Sequence, residues 1–320
     1  CVFSKIRTLQ HIADMKLAVS LFLLGSVVAW GKDGHCAIAD MAQSLLNPSA
    51  LDSVLRILGS QGNMSDVANW ADEVTHEPGY KWSAPLHFTN VQDSSYECLK
   101  LKNKCTYVYS RDCVDKNGNL GYCNAGAITN YTTRLIKDVK SGQITNDTAN
   151  YLKFVIHFIG DIHQPLHCGL ATDRGGVKIN TYYPVAGQGS DWNLHNVWDF
   201  GLIVNKEGEE GRRWGLISEI QSLLNTTWQK SIKFWAQSTD PNGWVQESLN
   251  QATVYAYRFA NGTLIQPPAA GDRVDIGHSL DPYIARGAVI ELQLAKAAVR
   301  LASTLNTIWP TAEPSLNLLD

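Results

Sequence analysis

Two histidine–aspartate pairs, His157-x3-Asp161 and His195-x3-Asp199, constrain this chain more than any other feature. Residues four apart lie on one face of a helix, so each pair can close on one metal ion. A single His-x3-Asp is more often a helix-face hydrogen bond than a ligand pair. Here, though, the first pair runs on through His157-Phe-Ile-Gly-Asp161-Ile-His163-Gln-Pro165-Leu-His167. A helix end and a proline stop in that run bend the chain back toward one point. Asp72, His87 and His35 stand upstream. With a chain terminus discussed below, about nine ligand candidates are present, against the three or four N/O donors that one Zn²⁺ takes, enough for two or three ions.

Met15-Lys16, the apolar run Leu17 to Val28 and the small-residue end Val27-Val28-Ala29 read as a signal peptide over 15–29, preceded by upstream sequence over 1–14. The mature protein then covers 30–320, starts at Trp30 and has 291 residues, compatible with a single domain. Removing Lys5, Arg7, Lys16 and Asp14 leaves 24 basic and 29 acidic residues, a net charge of −5. Such a chain is no polybasic nucleic-acid binder. If its substrate is a phosphate ester, positive charge has to come from cations bound at the site.

With Cys1 set aside, Cys36, Cys98, Cys105, Cys113, Cys123 and Cys168 form an even set behind a signal peptide, which argues for disulfides in a secreted or luminal protein. Among the 15 possible pairings, local bridges Cys98–Cys105 and Cys113–Cys123 are the simplest, since each closes a short loop. A bridge between Cys36 and Cys168 would then tie the N-terminus to the metal centre. Sequons at Asn63, Asn130, Asn146, Asn225 and Asn261 offer glycosylation sites. No second apolar stretch is long enough to anchor the processed chain in a membrane.

Apolar periodicity predicts helices over Ala37–Leu46, Ala50–Leu58, Asp66–Val74, Ala125–Val139, Thr148–Ile162, Trp192–Val204, Ile217–Leu224 and Tyr283–Asn306. In the last, Ala288, Ala295, Ala298 and Ala302 allow close packing. Val177–Tyr183 and Ser95–Tyr109 read as a small hairpin or extended loop. The expected fold is mainly α, one domain with long disulfide-bearing loops.

Trp30-Gly-Lys-Asp-Gly-His35, Trp70-Ala-Asp72, Trp82-Ser-Ala-Pro-Leu-His87-Phe88, the His157–His167 run and Asn193-Leu-His195-Asn-Val-Trp-Asp199 together resemble the secreted, zinc-dependent, single-strand-specific S1/P1 nucleases of plants and fungi. Arg111-Asp-Cys113 through Cys123-x2-Gly126-Ala-Ile is similar to the plant branch. The resemblance implies a helical fold of the phospholipase C/nuclease type holding three zinc ions. Asp72, His87, His157 and a bridging Asp161 would hold one ion; Trp30, through its free α-amine and carbonyl, would hold a second with His35 and Asp161. His167, His195 and Asp199 would hold the third. It also implies that a bridging water, hydroxide-like near neutral pH, attacks phosphorus in line while the third ion stabilises the leaving 3′-oxygen. Asp72 and Asp161 would be the catalytic carboxylates. Single-stranded RNA and DNA would be cut to 5′-mononucleotides, with 3′-nucleotidase activity, by a monomer.

By the same resemblance His163 is no ligand, and His76 and His278 match no ligand position. Trp70, Trp82, Trp192 and Trp198 are expected to pack in the core beside the ligands rather than to serve as base-stacking platforms. Phe88 matches the base-stacking position, but Asn90 replaces the usual base-reading aspartate, which changes donor and acceptor pattern. Thr75 stands where the family often has a charge-stabilising arginine, and Lys81 is the nearest cation in sequence. A zinc phospholipase C shares the metal grammar, and an inactive secreted zinc- or nucleic-acid-binding relative is the non-enzyme alternative.

Overall fold

A computed structural model describes residues 30–92, 96–100, 104–185, 187–207, 212–277, 284 and 287–311. The expected signal peptide, Ser95, His278 and Tyr283 lie outside these residues. Among them nine principal helices are α1 (Gly31–Ser44), α2 (Pro48–Leu58), α3 (Trp70–Val74), α4 (Asn124–Ser141), α5 (Asn146–Asp161), α6 (Arg212–Asn225), α7 (Gln229–Gln237), α8 (Pro241–Gln251) and α9 (Val289–Ile308). Two strands, β1 (Asn180–Val185) and β2 (Gly189–Asn193), form an antiparallel hairpin with Thr181 opposite Trp192, and Val274–Asp275 pairs with β1 in parallel.

The centre of the molecule is α5. Thr145 caps its start by accepting from the Thr148 amide, and residues Leu152 through Asp161 are all buried. A helix apolar on all sides has to be wrapped by others, and α4, α9, α3, α2 and α1 do this. Ala295, Ala298 and Ala302 of α9 are buried, letting it approach α1. Ala288 takes a left-handed φ of 44°, so α9 begins at Val289, later than its periodicity predicts.

Two further departures concern elements. α7 and α8 were not predicted: α7 is short, nine residues that bury only Trp235, and α8 is set by its Asp240 cap and Pro241 at its first turn. The Ser95–Tyr109 stretch forms no hairpin among its described residues; it holds the one-turn α-helix Glu97–Lys100 and then irregular chain, in keeping with the loop alternative.

Cys98–Cys105 and Cys113–Cys123 are bridged. Cys36 and Cys168 are not bridged to each other, which corrects that expectation: both are buried thiols in separate surroundings. Cys36 Sγ donates to Ser65 O, and Cys168 Sγ to Ile162 O. Replacing Cys113 and Cys123 together by alanine should lower stability by about 2–4 kcal/mol in urea unfolding, because the closed loop restricts the unfolded chain; an unchanged midpoint would show that the bridge contributes nothing. All five sequon asparagines are exposed.

Candidate metal centre

The nine candidate ligands come from six places in the chain, and α5 brings them together. His157 and Asp161, one turn apart, face His35 from α1, Asp72 from α3 and His87 from the 3-10 turn Lys81–His87. His35 Nε2 lies 3.3 Å from Asp161 Oδ1, and His87 Nδ1 lies 3.0 Å from Asp161 Oδ2, so the two carboxylate oxygens point to different neighbours. The His35 and His157 rings stack at 4.0 Å. A side chain on Gly160 would place its Cβ 2.7 Å from His35 Nδ1, so only glycine permits this approach.

On the far side of the loop after α5, His167, His195 and Asp199 form a separate group. His167 Nε2 is 3.6 Å from Asp199 Oδ1, and His195 Nε2 is 3.5 Å from Asp199 Oδ2. Asp199 sits in a π-helical segment, Val197–Gly201, where the ladder widens by one residue; such segments recur at functional sites. The spacing that predicted an ordinary helix from Trp192 did not show this, and Trp192 itself lies in β2.

Three sets, His35/His157/Asp161, Asp72/His87/His157 and His167/His195/Asp199, each hold their donor atoms within 4.8 Å of one another. Backbone carbonyls fix the ring orientations. His157 Nδ1 donates to Ala68 O at 2.7 Å, His167 Nδ1 to His87 O at 2.8 Å and His195 Nδ1 to Gly175 O at 2.6 Å, which turns each Nε2 toward a site. Gly175 holds a φ of 60° pressed against Leu166 O, a position closed to larger residues. Meanwhile His35 Nε2, Asp72 Oδ2, both Asp161 oxygens, His167 Nε2, His195 Nε2 and Asp199 Oδ2 are buried with no hydrogen-bond partner. Burying that many donors and acceptors unpaired is costly. An all His/Asp donor set of this kind fits zinc.

The charges agree with this geometry. Burial alone would lower His157, but Asp161 and Asp72 outweigh it and hold the imidazole well above its usual range. Burial would likewise raise Asp161, yet His157, His35 and His87 hold it well below the ordinary carboxylate range. His167 is lowered by burial and lifted back by Asp199 and Asp161 to about 8. The cluster therefore strongly favours cations, whether protons or a metal.

His163 is buried and turned away from all three groups. Its Nδ1 donates to Ile159 O at 2.7 Å, and its Nε2 accepts from the Arg300 guanidinium at 2.9 Å; burial, then Arg300, keeps the ring neutral. Arg300 also pairs with Glu247, and Gln293 donates to the His163 carbonyl. This clamp from α9 was not foreseen. Nor was Gln164, whose Nε2 donates to Asp199 Oδ1 at 2.5 Å while its Oε1 accepts from the Leu166 amide. A signal existed, since a polar residue before Pro165 is a helix-cap pattern.

Trp30 is fully buried, and its indole N–H donates to Gly160 O at 3.0 Å, beside Asp161. Trp198 is fully buried, Trp70 and Trp192 are half-buried, but Trp82 is 44% exposed, contrary to its expected place in the core. Thr75 Oγ1 donates to Asp72 O, closing α3, and Lys81 is exposed at the start of the 3-10 turn. Phe88 and Asn90 line a cavity of roughly 590 Å³ whose opposite wall is the Cys113–Cys123 loop, with Lys116, Asn117 and Tyr122. That wall was also unforeseen.

The S1/P1 Nuclease family profile matches residues 30–310. The chain is 33% identical to Endonuclease 2 of Arabidopsis thaliana over 311 residues, 93% of this chain and 97% of that one. It is 32% identical to Nuclease P1 of Penicillium citrinum, covering 87% of this chain and 97% of that protein. Nuclease S1 of Aspergillus oryzae is 30% identical, with 93% and 97% covered.

Proposed function

This chain belongs to the S1/P1 nuclease family, and from that premise we propose that it is a secreted or luminal zinc enzyme hydrolysing single-stranded RNA and DNA to 5′-mononucleotides, with 3′-nucleotidase activity. The observation that carries the reading is the convergence of eight His and Asp side chains, all buried but the half-buried Asp72, into three donor groups, seven of the eight with a buried polar atom that has no hydrogen-bond partner. The ligand sets follow the sequence assignment: Asp72, His87, His157 and Asp161; Trp30, His35 and Asp161; His167, His195 and Asp199. When bound, zinc supplies Lewis acidity, lowering the pKa of water and neutralising charge on phosphate oxygens.

The chain's own residues do the positioning. Asp161 shares its charge between two donor groups and so sets their separation. Carbonyl-anchored imidazoles keep Nε2 free of protons in the metal-binding state. Phe88, following directly on His87, offers a ring for the nucleobase beside the phosphate site, and Asn90 offers an amide to its edge. Cleavage after Ala29, where the family match begins, would free the Trp30 amine. Two disulfides and five exposed sequons support a secretory route, and no helix of the described residues is long and apolar enough to cross a membrane.

Metal analysis of the processed protein, alongside assays on single-stranded RNA, single-stranded DNA and phosphatidylcholine, tests the reading. Three zinc ions per chain, nuclease activity lost to chelators and no lipid hydrolysis are expected. One zinc in an active sample, or lipid cleavage alone, would sink it. For the base site, Phe88→Ala should raise KM by roughly tenfold for every base, since stacking contributes about 1–3 kcal/mol. Asn90→Asp should instead reorder the preference among bases; unchanged kinetics in both variants would count against this cavity.

A further inference from the structure

The 3-10 turn Lys81–His87 has two faces. Ser83, Leu86 and His87 are buried, whereas Lys81, Trp82 and Ala84 are exposed and Pro85 is half-buried. Side chains three apart eclipse one another in a 3-10 helix, so Trp82 stands in line with Pro85, and Pro85 and Phe88 line the same cavity. An apolar strip thus leaves that cavity and ends on an indole that is 44% exposed. The ring is held in place: its N–H donates to Gly79 O at 2.8 Å, it stacks on Tyr80 at 6.3 Å and leans on Phe154 at 5.9 Å. With its polar atom bonded locally, Trp82 presents a fixed aromatic surface.

We infer that Trp82 is a second base-stacking platform, gripping a nucleotide of the single strand beyond the one at Phe88; the inference rests on the nuclease reading above. The turn rises by ~2 Å per residue, so Trp82 lies about 10 Å along it from His87. That is more than one stacked base step of ~3.4 Å, so a different nucleotide reaches it. A base can lie on an indole only when it has left a duplex, and every base has a face to offer, so this contact favours single strands without choosing a sequence. The neighbouring exposed Lys81 places a cation beside the backbone of such a strand.

The test compares wild type, Trp82→Leu and Trp82→Phe, each processed to Trp30, on a dinucleotide and on an uncapped oligonucleotide of about ten nucleotides. Leucine keeps the packing against Phe154 but removes the aromatic face; phenylalanine keeps a face. Trp82→Leu should raise KM for the oligonucleotide by about tenfold relative to that for the dinucleotide, with kcat little altered, and Trp82→Phe should stay near wild type. Equal shifts on both substrates, or none, overturn the platform, whereas a wild type that cleaves neither substrate overturns the nuclease reading itself. Independently of any variant, an uncleavable phosphorothioate oligonucleotide should slow oxidation of Trp82 in the wild type, read by mass spectrometry, while Trp214, 62% exposed on α6, serves as the internal control. Equal oxidation of Trp82 with and without the oligonucleotide overturns the inference.

Discussion

Asp161→Asn should lose metal from two adjacent sites and reduce nuclease activity by more than about a hundredfold. Both its carboxylate oxygens are buried without hydrogen-bond partners, and they face His35 on one side and His87 and His157 on the other. The amide is nearly isosteric but removes the charge that the two donor groups share. Changes to groups one shell further out already reduce metal affinity about 10–100-fold, so a shared direct ligand should exceed that range. His163→Ala provides the contrast. It strips Arg300 of an acceptor and should lower stability by about 1–3 kcal/mol, with zinc content retained. Zinc analysis and thermal unfolding of the two variants decide the matter: equal metal loss from both would show that the loop's roles have been assigned wrongly.

A protein beginning Met-Trp30, with the methionine retained, should bind about one zinc fewer than one beginning at Trp30 and should cleave RNA at least about tenfold more slowly. An amide nitrogen is a poor metal donor, whereas a free α-amine is a good one. Folding should survive, because the Trp30 ring stays buried with its N–H on Gly160 O whatever precedes it. Gly160 adjoins Asp161, so the indole anchors Trp30 beside that carboxylate. Full activity and three zinc ions in a sample shown by mass spectrometry to keep its methionine would remove the N-terminus from the site.

The His/Asp pairs of the candidate centre were legible because their signal is local. His157 and Asp161, or His195 and Asp199, are one helical turn apart, and side-chain direction along a helix follows from the backbone alone. Short-loop disulfides were legible for the same reason: Cys98–Cys105 and Cys113–Cys123 close over 7 and 10 residues. α7 escaped because it spans only nine residues and buries only Trp235, and α8 because its start lies in the Asp240–Pro241 cap rather than in hydrophobic spacing.

Thus residue types and turn-length spacings by themselves determined a mainly helical chain with two His-x3-Asp pairs and enough further donors for two or three ions, while the division into three groups came from the family resemblance. Tertiary structure alone decided which atoms face each other over long separations. It turned His163 onto Arg300, 137 residues away, and set Gln164 against Asp199. It buried Cys36 and Cys168 apart, brought the Cys113–Cys123 loop across from Phe88, and left Trp82 half in solvent. Such contacts depend on how whole helices pack, and packing minimises voids and unpaired polar groups over the entire molecule at once, a constraint no local window of sequence contains.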